Sequence, residues 1–128
     1  MVNPASAGEP VENGAARSAR PIDLVHLARQ CLGDEELERE VLALFDTTIA
    51  NYLTRLERST TGEELVMSLH AIRGASAGVG AFALAELAQA AERDLREGQL
   101  PDPELIQDVT MAIEEVRSYI SGVIGVSE

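Results

Sequence analysis

Aromatic side chains are nearly missing from these 128 residues, which contain two Tyr, two Phe and no Trp against 45% hydrophobic residues overall. A core made from this chain is therefore aliphatic, built from Leu, Ile, Val and Ala, and that suits closely packed helices. Cysteine is reduced to Cys31, which excludes an internal disulfide, and no second Cys or neighbouring His completes a zinc set. Positive charge is also short: 10 basic residues face 22 acidic ones, for a net charge of -12. Without clustered Lys and Arg, neither nucleic acid nor an anionic membrane is expected as a partner. No apolar run approaches the ~20 residues that cross a bilayer, so the expected location is cytoplasmic. There is no Walker loop and no dinucleotide fingerprint, which removes support for ATP hydrolysis and redox chemistry. Sustained period-two alternation is absent too, and with it the case for a sheet.

What the chain does contain is helical punctuation. Residues 1–20 are rich in Ala, Gly, Ser and Pro with no apolar stretch of signal-peptide type, and read as a disordered lead-in to a helical domain over 21–125. Asp23 is placed to cap a short helix through Leu32, stopped by Gly33, with Ile22, Leu27 and either Val25 or Leu24 on its apolar side. Asp34 caps a long helix to about Arg58, with Glu35 and Glu36 in the first turn and Leu37, Val41, Leu44, Phe45, Thr48 or Ile49, Tyr52 and Leu56 as its stripe. Thr60 with Glu63, or Thr61 with Glu64, opens a third helix that Gly78 and Gly80 break. A fourth helix carries Leu84, Leu87, Ala88, Ala91 and Leu95 on one side and ends at Gly98. Asp102 and Pro103 start the last one, which buries Leu105 or Ile106, Val109, Ile113, Val116, Ile120 and Val123. The pattern predicts an all-α fold: an antiparallel up-and-down four-helix bundle with a short extra N-terminal helix across one end, expected to be a monomer.

One polar residue stands apart. In the third helix, Leu65, Leu69, Ile72, Ser76 and Val79 recur every three or four residues and define the buried side. His70 lies roughly 140° around from that stripe and points outward. Its approach is flanked by Val66, Met67, Ala71, Gly74 and Ala77, a small-residue, nearly charge-free patch suited to docking a partner. Glycine inside a helix costs about 1 kcal/mol relative to alanine, and at position 74 it leaves clearance beside the ring. Arg73, one turn on, adds a permanent cation whose fork fits phosphate oxygens. An enzyme using His70 as a general base would need a carboxylate to orient the ring, and the pattern places none nearby. His26, between Val25 and Leu27, reads as packing or surface, and Cys31 as a small apolar filler. The acidic run Asp34, Glu35, Glu36, Glu38 and Glu40 reads as a solvated face matched to the helix dipole.

The segment His70-Ala71-Ile72-Arg73-Gly74, with Gly80 after it, resembles the signature of the histidine-containing phosphotransfer (HPt) domain of bacterial phosphorelays. The likeness continues through Ala81, Leu84, Leu87, Ala88 and Glu92, and the helix order from Ile22 to Ile124 is similar to that family's. The resemblance implies that His70 is the phosphoacceptor, that Arg73 steadies the phosphoryl group, that Gly74 keeps the ring accessible and that Gly80 turns the chain into the next helix. Where the family more often has Lys, this chain has Arg73, which keeps the charge; Ala91 is smaller than usual and touches packing only. The implied function is a relay intermediate, with Nε2 of His70 taking the phosphoryl from an aspartyl phosphate. It would not be an ATP-dependent autokinase on its own. The implied partners are receiver domains of response regulators or hybrid histidine kinases, which would supply the Mg²⁺; the chain would need no cofactor of its own. The alternative is a helical adaptor that binds a receiver or kinase without accepting phosphate.

Overall fold

The computed structural model describes residues 20–125, so all but the last residue of the expected lead-in lies outside the described residues. Five helices follow in order: α1 (Leu24–Gln30), α2 (Glu35–Arg58), α3 (Gly62–Val79), α4 (Phe82–Arg96) and α5 (Pro103–Ile124). Among the described residues there is no strand. Their starts are where the sequence put them, because a short polar side chain satisfies an otherwise orphaned backbone N–H at four of the five. Asp23 accepts from the His26 N–H, Asp34 from Leu37, Thr61 from Glu64 and Asp102 from Glu104. Of the two capping-box options, Thr61 with Glu64 forms, but its return contact goes one residue upstream: the Glu64 carboxylate accepts from the Thr60 N–H at 2.8 Å. These hydrogen bonds, led by the one from Thr60, hold the Glu64 carboxyl below its usual pKa despite an opposing desolvation.

The four long helices close into a bundle: α2 packs on α3 and α5, and α4 packs on both α3 and α5. The interior is aliphatic as expected, with Leu42, Ile49, Leu69, Ile72, Leu84, Val109, Ile113 and Ile120 all buried. Across the surface, Arg117 of α5 donates from Nε to Asp46 of α2 at 2.9 Å. That hydrogen bond raises the arginine's pKa further against a smaller desolvation. The short α1 lies over one end, tied there by the Asp23 N–H donating to the Gly80 carbonyl at 2.9 Å.

Four local expectations need correction. On α2, Leu42 is buried, whereas Leu44 is 68% exposed and Leu37 is also exposed. Residues 42 and 44 stand roughly 200° apart on a helix, and a sequence this rich in apolar residues allowed two stripes to be drawn. The packed one runs Leu42, Phe45, Ile49, Leu56. Second, α1 stops at Gln30. Leu32 and Gly33 then take left-handed backbone angles, φ 55° and 78°, and Leu32 is thrown into solvent. Third, Gly78 lies within α3, and only Gly80 ends it, at φ 94°. A Cβ on Gly80 would sit 2.9 Å from the Asp23 carbonyl oxygen, so both the backbone angle and the closeness of α1 require glycine there. Fourth, Val123 remains 38% exposed, and Ile124, four residues beyond Ile120, packs against the core in its place.

Candidate functional site

α3 buries Leu69, Ile72, Ser76 and Val79 and so turns His70 outward, with 57% of its side chain exposed. Around it Met67, Gly74 and Ala77 are exposed, while Val66, Ala71 and Arg73 are half-buried. Nothing lies within 4 Å of where a Gly74 Cβ would sit, so the packing of the fold does not require a glycine there. A groove of about 470 Å³ between α2 and α3, lined by Tyr52, Arg55, Met67, Ser68 and Ala71 among others, runs beside this face.

The patch carries more charge than the nearly charge-free surround expected from α3 alone. Glu92 of α4, only 6% exposed, reaches across to α3 and places Oε2 3.0 Å from His70 Nδ1. Arg73 donates from Nε to Glu92 Oε1 at 3.2 Å, and Arg96 donates from Nε to Oε2 at 2.9 Å. Burial alone would raise the Glu92 pKa, but the hydrogen bonds from Arg96, His70 and Arg73 together outweigh it and hold the carboxyl below its usual range. Glu92 is therefore ionised at neutral pH. Its sequence signal was present: a glutamate four residues after Ala88 and three before Leu95, on the apolar side of an amphipathic helix. The expectation that no carboxylate stands near the ring fails because that carboxylate comes from the neighbouring helix.

Nδ1 also has Arg73 Nη2 at 2.9 Å, and one ring nitrogen cannot both donate and accept through a single proton. Glu92 is buried and pinned by two guanidinium groups, whereas the Arg73 side chain is 35% exposed and keeps its Nε bond if the tip swings away. The arrangement that relaxes puts the proton on Nδ1, donating to Glu92, and leaves the Nε2 lone pair outward. Among the described residues Nε2 has no hydrogen-bond partner.

The other titratable candidates sit elsewhere. His26 donates from Nε2 to the Gly78 carbonyl at 3.3 Å and meets the Phe82 ring edge-on at 5.1 Å, so it packs the corner where α1 crosses α3 and α4. Cys31 is buried, and burial, then Glu38 and Asp34, push its thiol pKa up, which keeps it protonated and unreactive. The acidic run after Asp34 is largely solvent-exposed. Among the described residues no group of three or more His, Cys, Asp or Glu could hold a metal ion, and no helix is long and apolar enough to cross a membrane.

A bundle helix that holds an imidazole open to solvent, its inner nitrogen engaged by a carboxylate of the next helix and its outer nitrogen free, defines a histidine-presenting module. Residues 40–119, more than half of the chain, match the Hpt domain family, and the chain belongs to that family. The matched span contains His70, Arg73, Gly74, Gly80 and Glu92, and membership carries a phosphotransfer role in phosphorelay. No curated protein and no solved structure gives a significant match.

Proposed function

We propose that the chain is a cytoplasmic phosphorelay intermediate in which His70 takes a phosphoryl group from the phospho-aspartate of one receiver domain and passes it to another, or back. The observation that carries this reading is the 3.0 Å contact between His70 Nδ1 and the ionised Glu92, with Nε2 left facing solvent. The Nε2 lone pair attacks phosphorus, the bond from phosphorus to the aspartyl oxygen breaks, and its electron pair returns to the receiver's carboxylate. No proton has to leave the ring. Nδ1–H stays bonded to Glu92, whose charge offsets the positive charge that the ring gains on phosphorylation, and the same charged ring is a good leaving group in the return direction. Arg73 swings its terminal nitrogens from the ring edge towards the phosphoryl oxygens. A Mg²⁺ held by the receiver would supply Lewis-acid stabilisation of the phosphoryl oxygens.

Val66, Met67, Ala71 and Ala77 offer the dry contact around the ring, and the interface with a response regulator or hybrid-kinase receiver stays below ~1,200 Å² so that each partner is released. The test incubates the full chain with a phosphorylated receiver and Mg²⁺. The expected product is an acid-labile, alkali-stable label on His70 that His70→Gln abolishes with helicity unchanged. Receiver binding without any label on the wild-type chain would make the protein an adaptor, and label surviving in His70→Gln would move the site.

A further inference from the structure

The groove between α2 and α3 carries polar groups that the His70 chemistry does not use. Some of them are satisfied locally: the Thr54 hydroxyl donates to the Ala50 carbonyl at 3.2 Å and the Ser59 hydroxyl to the Arg55 carbonyl at 2.8 Å. The Glu64 carboxylate likewise accepts from the Thr60 N–H and hydroxyl. The guanidinium groups of Arg55 and Arg58 and the hydroxyls of Tyr52 and Ser68, in contrast, have no hydrogen-bond partner among the described residues, and all of them are donors. Ser68 is only 8% exposed, and a hydroxyl so far inside a fold is ordinarily bonded. Two cations against one carboxylate also make this groove net positive in a chain of net charge -12. Between the donors the lining is apolar, with Met67 and Ala71 on one wall and the Tyr52 ring on the other, its centre 5.7 Å from the Arg55 guanidinium.

An apolar slot edged by unpartnered donors and positive charge is complementary to an aromatic acid. We infer that the groove binds a small aromatic carboxylate, whose ring packs against Tyr52 and Met67 while its carboxylate takes hydrogen bonds from Arg55 and Arg58. The size favours a free ligand over a segment of a partner protein. A groove of about 470 Å³ lies within the usual range of small-molecule sites, whereas two turns of helix with side chains fill roughly 1,000 Å³. The consequence for the relay rests on the phosphotransfer reading above. Met67 and Ala71 belong both to the groove and to the receiver-docking face, and His70 lines no part of the groove. A bound acid therefore competes with the receiver while leaving the imidazole open to a small phosphoryl donor, and the site is inhibitory.

The probe is 2-naphthoate, titrated into the full ¹⁵N-labelled chain and followed by amide shifts, with the uncharged 2-naphthamide as its control. The expected result is saturable binding with a Kd of about 0.1–1 mM, shifts centred on residues lining the groove, and clearly weaker binding of the amide. Arg55→Ala and Arg58→Ala should each weaken 2-naphthoate about three- to tenfold, whereas Arg39→Ala, an exposed arginine of α2 outside the groove, should not. Saturating 2-naphthoate should slow labelling of His70 by a phosphorylated receiver and leave labelling by phosphoramidate unchanged. Shifts that do not saturate, equal affinity for acid and amide, or indifference to both groove arginines overturn the inference. Groove resonances that respond to an unphosphorylated receiver but not to 2-naphthoate assign the groove to the receiver and overturn it as well. Binding that does not slow transfer from the receiver overturns the inhibitory role. Saturable binding to a chain that no phosphorylated receiver labels overturns the phosphotransfer reading instead, and leaves the acid site in place.

Discussion

Glu92 shows what one residue does when burial and charge are combined. Glutamine at this position retains an amide oxygen that can accept from His70 Nδ1–H, but it cannot balance a positively charged ring, and it leaves Arg73 and Arg96 without their shared anion. A charge-assisted hydrogen bond exceeds a neutral one by ~1 kcal/mol. Glu92→Gln is therefore expected to slow phosphoryl transfer from a receiver about fivefold, read by rapid-quench kinetics, with His70 still the labelled residue. A variant as fast as the wild type would show that the carboxylate is structural only. His70, Arg73 and Gly74 were legible in the sequence because all lie on α3, where spacing alone fixes which side each occupies. The role of Glu92 was not, since which α3 residues it meets depends on how α4 packs against α3, and no periodicity within one helix encodes that.

At the scale of the element, helix starts were more legible than the packed face of α2. Asp23, Asp34, Thr61 and Asp102 each act locally, through one side chain and one N–H two or three residues on. The buried face of α2 is different: Leu37 and Leu44 were expected on it beside Val41, Phe45 and Ile49, and only packing against both α3 and α5 turns Leu42 inward and leaves those two out. Gly80 joins the two kinds of information. Its left-handed angle ends α3, and its carbonyl accepts from Asp23 to seat α1. Gly80→Ala forces a Cβ to within 2.9 Å of backbone at a φ that L residues rarely adopt. The expected cost is about 1–3 kcal/mol, measured as a lowered urea midpoint with an unchanged m-value. Gly74→Ala, whose Cβ meets nothing within 4 Å, should be neutral or slightly stabilising in the same experiment.

Across the whole molecule, the acidic excess sets how stability responds to pH, and Glu92 marks where the native state gains from ionisation. Its carboxyl pKa is depressed in the folded chain relative to 4.5, because the hydrogen bonds from Arg96, His70 and Arg73 outweigh the burial that would raise it. For a depressed carboxyl the folded state binds fewer protons than the unfolded one between the two pKa values. Its stabilisation is therefore fully present above pH 4.5 and is lost as pH falls through the lower, native value. Glu64, depressed chiefly by the Thr60 N–H, acts in the same direction at the start of α3. Glu92→Gln cannot titrate, so the gap in thermal midpoint between wild type and this variant should be widest near pH 7 and should narrow steadily as the pH is taken below 4.5. A gap that stays constant down to pH 3 would mean that Glu92 stabilises through packing alone. In that case the two arginines beside it would not be held by its charge, and the electrostatic account of the His70 site would fail with it.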